Sequence, residues 1–260
     1  MTNSGIKGSG TGVFAFGILS YGVFFAVFLY SIGFIGGFFT PTTLDGVATR
    51  PMGEALAVDI GLLGLFAVQH SVMARPAFKR WWTRIVPEAA ERSVYVLLSS
   101  LALVAMFYFW QPIGGIIWDA PDGLARNTVI TIYLLGWVLL LYSTFLIDHF
   151  DLFGLRQSWN RLKGNAYTPP KFYTPSLYRI VRHPLYVGWL TIFWAAPTMT
   201  VAHLVFALAT TAYILIAIQL EEHDLVDAFG ETYVDYRRKT PMLLPRLWRR
   251  REQPGTAAKA

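Results

Sequence analysis

Apolar residues along this chain gather into six long runs, at positions 12–35, 53–74, 91–110, 127–147, 184–199 and 201–220, with short polar segments between them. A hydrocarbon core of about 30 Å needs about 20 residues of helix to cross it. The pattern therefore predicts an all-α fold, a polytopic transmembrane helical bundle of five to six spans. Pro197 and His203 interrupt the last long apolar stretch. A proline cannot continue a helix undisturbed, so a tight helical hairpin turning near the outer face is the expected reading of runs five and six.

Basic residues orient the bundle, because Lys and Arg accumulate on the cytoplasmic side of membrane spans. The segment after the second run holds Arg75, Lys79, Arg80, Arg84 and Arg92. The segment after the fourth holds Arg156, Arg161, Lys163, Lys171, Arg179 and Arg182, and the tail begins with Arg237, Arg238 and Lys239. The alternate loops hold only Arg50 and Arg126. Six spans with this bias put both termini and both basic loops in the cytoplasm.

Composition agrees with the hydrophobic pattern. With 54% hydrophobic and 15% charged residues, the chain has too little polar surface to cover a water-soluble globule, and lipid is its expected partner. The net charge of +6 does not point to nucleic acid, because the basic residues fall beside spans, where they meet anionic headgroups. The polar opening leads into an apolar run too long for a cleavable signal core. Zero cysteines exclude disulfides, a thiolate metal site and a cysteine nucleophile. Residues 1–260 read as one membrane domain, with a disordered tail expected from about Arg249.

Against this apolar background three polar clusters stand out, since ionisable groups at membrane depth cost at least a few kcal/mol and are seldom kept without a role. The first runs from Tyr178 through Arg182, His183, Pro184 and Tyr186 to Gly188, at the entry to run five, with Pro184 suited to a first helical turn. The second is Glu221-Glu222-His223-Asp224 at the end of run six, followed by Gly230, Tyr233 and Tyr236. The third is Asp148, His149 and Asp151 with Arg156 and Gln157, where run four ends. A hairpin brings the first two clusters to one face. Carboxylates that can hold ribose hydroxyls or an ammonium, beside Arg, His and tyrosines, suit a zwitterionic ligand bearing an aromatic base, and S-adenosylmethionine has each of those parts.

The string Tyr178-Arg-x-Val-Arg182-His183-Pro184-x-Tyr186-x-Gly188, then Glu221-Glu222-x-x-Leu225, then Phe229-Gly230-x-x-Tyr233-x-x-Tyr236 with Pro241, resembles the C-terminal signature of the isoprenylcysteine carboxyl methyltransferase and phospholipid methyltransferase superfamily, over about residues 174–245. That resemblance implies S-adenosylmethionine as methyl donor. It also implies a donor site containing Tyr178, Arg182, His183, Pro184, Tyr186, Gly188, Glu221 and Glu222, with Tyr233 and Tyr236 closing over it. Gln69-His70-Ser71 with Arg75, Glu91-Arg92-x-x-Tyr95, and His149-Phe-Asp-Leu-Phe-Gly154-Leu-Arg-Gln157 are similar to the nurim-like branch, and within it to bacterial methanethiol S-methyltransferases. The acceptor so implied is a small thiol, methanethiol, giving dimethyl sulfide, with His70 and Gln157 as substrate residues.

Methylating a thiol at neutral pH benefits from a base, because a thiol of pKa about 8.5 is mostly protonated. His149, oriented by Asp148 or Asp151, is the candidate. Each cluster also has a purely structural reading. Arg182 and His183 suit interfacial anchors, Asp148 and Asp151 suit loop caps, and His70 suits a buried histidine satisfied by a neighbouring helix. Two acids at a helix C-terminus oppose its dipole, so at least one of Glu221 and Glu222 is expected to be paired. No two histidines sit at the helical spacing of a ligand pair, so no metal is expected. A lipid amine or prenylcysteine carboxylate as acceptor, and a non-catalytic membrane protein, remain alternatives, and oligomeric state is left open.

Overall fold

A computed structural model describes residues 9–245; the tail expected to be disordered lies outside the described residues. Five helices are long and apolar enough to cross a membrane: α1 (Gly10–Gly36), α2 (Met52–Ala74), α4 (Glu88–Phe109), α5 (Leu124–Leu146) and α9 (Val201–Phe229). Between them lie the short helices α3 (Pro76–Trp82), α6 (His149–Leu152), α7 (Leu155–Lys163) and α8 (Pro184–Trp194), and α10 (Glu231–Lys239) follows α9. The strands β1 (Ile116–Asp119) and β2 (Thr198–Thr200) pair antiparallel. The fold is an all-α polytopic bundle, as the apolar pattern predicts.

The fifth expected span needs correcting. Instead of a helix over 184–199, α8 ends at Trp194, and eleven residues rise only about 16 Å, half a hydrocarbon core. Pro197 is the cause, because it disfavours helical backbone in the residue before it. The chain continues extended through β2, which pairs with β1 in the loop between α4 and α5. Half-helix and extended segment together still span the bundle, so the hairpin survives in altered form.

The sixth span also differs from expectation. α9 does not stop near Leu220 but runs through Glu221, Glu222, His223 and Asp224 to Phe229, where Gly230 adopts a positive φ of 56°. The acids thus lie inside a helix and not at its C-terminus, so the helix dipole is not what calls for their pairing.

Contacts at the two ends of the bundle define its topology. At one end the start of α1 touches α7, where a Cβ on Gly10 would lie 2.9 Å from the carbonyl of Arg161. At that same end Arg75, after α2, pairs with Asp224 of α9 at 2.8 Å. At the other end Asp45, between α1 and α2, accepts from Thr200 and from His203 Nδ1 at 2.9 Å, while His203 Nε2 lies 3.0 Å from the Phe193 carbonyl. His203 therefore ties together the turn between α8 and α9. All the basic loops fall at the first end.

The tightest helix contact is between α5 and α8. A Cβ added to Gly188 would stand 2.9 Å from Leu140 N and 3.0 Å from its Cα. One added to Gly136 would meet the Ile192 side chain at 2.9 Å. Small residues that admit a neighbouring backbone are the usual means of close helix packing in membranes. Around this seam Tyr133, Trp137, Leu140, Ile192 and Phe193 join a buried apolar core that extends to Phe34, Phe107 and Phe206. Gly188→Ala is expected to push backbone against backbone and to cost about 1–3 kcal/mol. A lowered thermal midpoint in detergent, without change of helix content by circular dichroism, is the measurement that checks it.

Candidate active site

The start of α8 and the last turns of α9 meet around one buried carboxylate. Glu222 Oε1 accepts from Arg182 Nε at 2.7 Å and from His183 Nε2 at 2.9 Å. Both ion-pair partners are nearly out of solvent, with side chains 10% and 5% exposed for Arg182 and Glu222, so neither charge is tolerable without the other. Arg182 Nη1 also donates to the carbonyls of Arg237 at 3.1 Å and Thr240 at 2.6 Å. The backbone N–H groups of Arg182 and His183 donate to Pro241 at 2.8 Å and Met242 at 3.2 Å. Tyr236 adds a bond from its hydroxyl to the Tyr178 carbonyl at 2.5 Å. The segment after α10 is thus fastened across the entrance to α8.

Beside this junction opens a cavity of about 950 Å³. Tyr178, Phe172, Tyr233 and Tyr236 form its rim, with Phe172 packed against Tyr233 and Tyr236 at centroid distances of 5.7 and 5.5 Å. Burial pushes the Tyr236 phenol up to about 12, and burial likewise raises Tyr178 and Tyr233, so all three stay neutral hydroxyls near neutral pH. Further in, Glu221 Oε2 accepts from the Tyr186 hydroxyl at 3.0 Å. Its other oxygen has no hydrogen-bond partner among the described residues. Deeper still the lining becomes apolar, with Phe34, Met106 and Phe206.

A second polar group faces the middle of the cavity. The Tyr95 hydroxyl lies 2.9 Å from Nε2 and 3.1 Å from Nδ1 of His70, and Ser99 Oγ lies 3.2 Å from that Nδ1. His70 also stacks on Phe66. Tyr213 on α9 bonds Ser71 on α2 at 3.1 Å, so these hydroxyls knit α2, α4 and α9 around the cavity.

His149 lines the cavity from a third side, but its partners differ from those expected. Thr144 Oγ1 donates to the Leu141 carbonyl at 2.6 Å, so at 2.8 Å it accepts from His149 Nδ1–H. That fixes the tautomer and leaves Nε2 as a lone pair, which takes the Tyr21 hydroxyl at 2.8 Å. Neither acid orients the ring. Asp148, with a left-handed φ of 71°, caps α6 and pairs with Arg156 at 2.8 Å. Asp151 Oδ2 accepts from Tyr167 at 3.2 Å. Burial holds His149 below the ordinary histidine value, against the pull of Asp148, so the ring is neutral at neutral pH.

Of the residues singled out in the sequence, Tyr178, Arg182, His183, Tyr186, Glu221, Tyr233, Tyr236, His149 and His70 line this one cavity. Pro184, Gly188, Glu222, Asp148, Asp151 and Gln157 lie behind its wall. Pro184 opens α8, Gly188 admits α5, and Gln157 donates to the Asp151 carbonyl at 3.0 Å. Tyr21, Thr144 and Tyr213 were not legible as site residues, because a single hydroxyl within an apolar run carries no local signal, and neither was Phe172, a lone ring in the polar loop after α7. Among the described residues no group of three His, Asp or Glu side chains is arranged to hold a metal ion.

The sequence profile of the NnrU protein family matches residues 60–243. A methanethiol S-methyltransferase of Crocosphaera subtropica is 54% identical over 237 residues, covering 91% of this chain and 93% of that protein. A methanethiol S-methyltransferase of Mycobacterium tuberculosis is 50% identical over 230 residues, covering 88% and 94%. Nurim of Bos taurus is 32% identical over 179 residues, covering 65% and 68%. No solved structure matches this chain.

Two outcomes follow from the geometry. Glu222→Ala leaves a buried guanidinium without its anion, a change that costs about 3–5 kcal/mol. Hydrogen exchange should rise at the amides of Arg182 and His183, which lose their cover when residues 237–242 detach. For His149, a depressed pKa means that the unfolded chain binds the proton more readily than the folded one. The associated stability is present above about pH 6.5 and is lost as pH falls through the folded value. His149→Phe should flatten the acid limb of the thermal midpoint between pH 7 and pH 5.

Proposed function

This chain belongs to the NnrU protein family, and from that premise we propose that it is an S-adenosylmethionine-dependent methyltransferase acting on a small thiol, methanethiol, to give dimethyl sulfide. The observation that carries the proposal is the cavity itself, a polar, aromatic rim joined to an apolar depth. The relatives named methanethiol S-methyltransferase, matched over about nine-tenths of this chain, support the same reading. We further take the basic end of the bundle, with both termini, to face the cytoplasm of the inner membrane.

The residues present fit such a donor. Glu221, with one carboxylate oxygen open to the cavity, suits ribose hydroxyls or the ammonium. Phe172, Tyr233 and Tyr236 offer a face to an adenine ring. Glu222 acts through others, fixing His183 so that Nδ1 is left for the cavity side. Gly188 and Pro184 shape the helix that carries them. When bound, the donor supplies an electrophilic methyl on a sulfonium sulfur.

The chain's own part is to deliver a dry, aligned thiolate. His149 Nε2, neutral and basic, accepts the thiol proton on exchanging its Tyr21 partner, while Thr144 keeps Nδ1 protonated and the ring in place. A thiolate meeting a sulfonium annihilates two charges, so the apolar lining disfavours the separated ions more than the transition state. Alignment within one cavity supplies the larger share of the acceleration.

One observation favours a wider acceptor range. Ile60 of α2 and Ile216 of α9 line the cavity and are 53% and 62% exposed. Exposed isoleucines on two spans of the lining suit entry of an apolar acceptor from the bilayer, a lipid amine or prenylcysteine carboxylate included.

A thermal-shift titration of the purified protein with S-adenosylmethionine tests the proposal. A ligand at 100 times its dissociation constant stabilises the fold by about 2.7 kcal/mol, and no shift would sink the reading. His149→Ala should still show the shift while losing about 10²–10⁴-fold in transfer of labelled methyl to methanethiol. Its deficit should shrink as pH rises toward the thiol pKa, and normal turnover at neutral pH would dismiss it as the base.

A further inference from the structure

Three cationic side chains line the cavity, Arg92, Lys171 and Arg182. Arg182 is committed to Glu222 and to two carbonyls of the C-terminal segment. Lys171 is exposed at the mouth, where water satisfies it. Arg92 is different. It is half-buried in the opening turns of α4, and its guanidinium makes no hydrogen bond and no ion pair among the described residues. Its one recorded partner is the Tyr95 ring, 5.7 Å from the guanidinium carbon.

Its position makes the lack of an anion costly. A cation near a helix N-terminus faces the positive end of the helix dipole. Partial burial penalises an unpaired charge further, since the one side chain it lies against, the Tyr95 ring, brings no anion. A guanidinium so placed is matched to an anion arriving from the cavity, and its planar fork fits a carboxylate through two parallel hydrogen bonds.

Resting on the methyl-donor reading above, we propose that Arg92 binds the carboxylate of the donor's methionine moiety. The assignment answers a chemical need left open by the junction, because Arg182 has its Nε and Nη1 donors engaged with Glu222 and the C-terminal segment. It also sets a direction for the ligand. Its amino-acid end lies toward α4, beside Tyr95 and His70, and its adenosine end toward the aromatic rim. The sulfonium falls between, beside the middle of the cavity.

Calorimetry on the full-length protein in detergent, with S-adenosylmethionine and with its decarboxylated analogue, tests this directly. The unaltered protein should bind the intact donor at least about tenfold more tightly than the analogue, as a bidentate charged pair implies. Arg92→Met should weaken the intact donor by that factor and leave the analogue unchanged, while Arg92→Lys keeps part of the discrimination. An equal loss for both ligands, or no loss for either, in variants that retain the thermal midpoint of the unaltered protein would overturn the assignment alone. No binding of either ligand to the unaltered protein would overturn the donor reading and the assignment together. Lys171→Met serves as the comparison, and loss of the discrimination there instead would give the carboxylate to Lys171.

Discussion

One buried carboxylate holds this molecule's working end together. Glu222 takes a guanidinium and an imidazole from the chain segment that enters α8, forty residues away in sequence, and the same guanidinium grips the carbonyls that follow α10. Remove that anion, and three segments lose the reason to meet. A charged cluster like this contributes little net energy when compared with a well-packed apolar substitute. What it contributes is uniqueness, since apolar helices in lipid can slide past one another at small cost, whereas a buried charge has one acceptable register.

The cavity inherits its division of labour from that junction. Residues that bond to each other form its wall, and residues with unused hydrogen-bonding capacity face inward. Glu222 belongs to the first kind and Glu221 to the second, although they are neighbours in sequence, because successive residues on a helix point about 100° apart. The same distinction separates Arg182 from Arg92. Asp148 caps a short helix behind the wall, whereas its neighbour His149 lines the cavity with both ring nitrogens held by hydroxyls.

Much of the architecture was written in the chain's alternation of long apolar runs and basic loops, because lipid imposes a length and the membrane a charge bias. The convergence of the clusters at 178–188 and 221–236 was legible once a hairpin was drawn between them. Two features were not. The path of the chain after Pro197 ends α8 is set by the pairing of β2 with β1, a contact between segments some eighty residues apart. The extension of α9 past Leu220 follows from polar residues that form helix as readily as they form loops. Within the site, the acids beside His149 looked like its partners by proximity in sequence, yet a threonine one turn earlier and a tyrosine from α1 hold the ring. Hydroxyls within apolar runs become visible only when the helices are assembled.

The contact between Gly188 and the backbone of Leu140 carries an implication beyond packing. Helix α8 begins with His183 and Tyr186 of the cavity lining, and α5 ends at the turn that presents His149. With no side chain interposed at their crossing, the two elements move as one strut. The spacing of those two sides of the cavity is therefore set by a backbone contact, a dimension that rotamer changes do not alter.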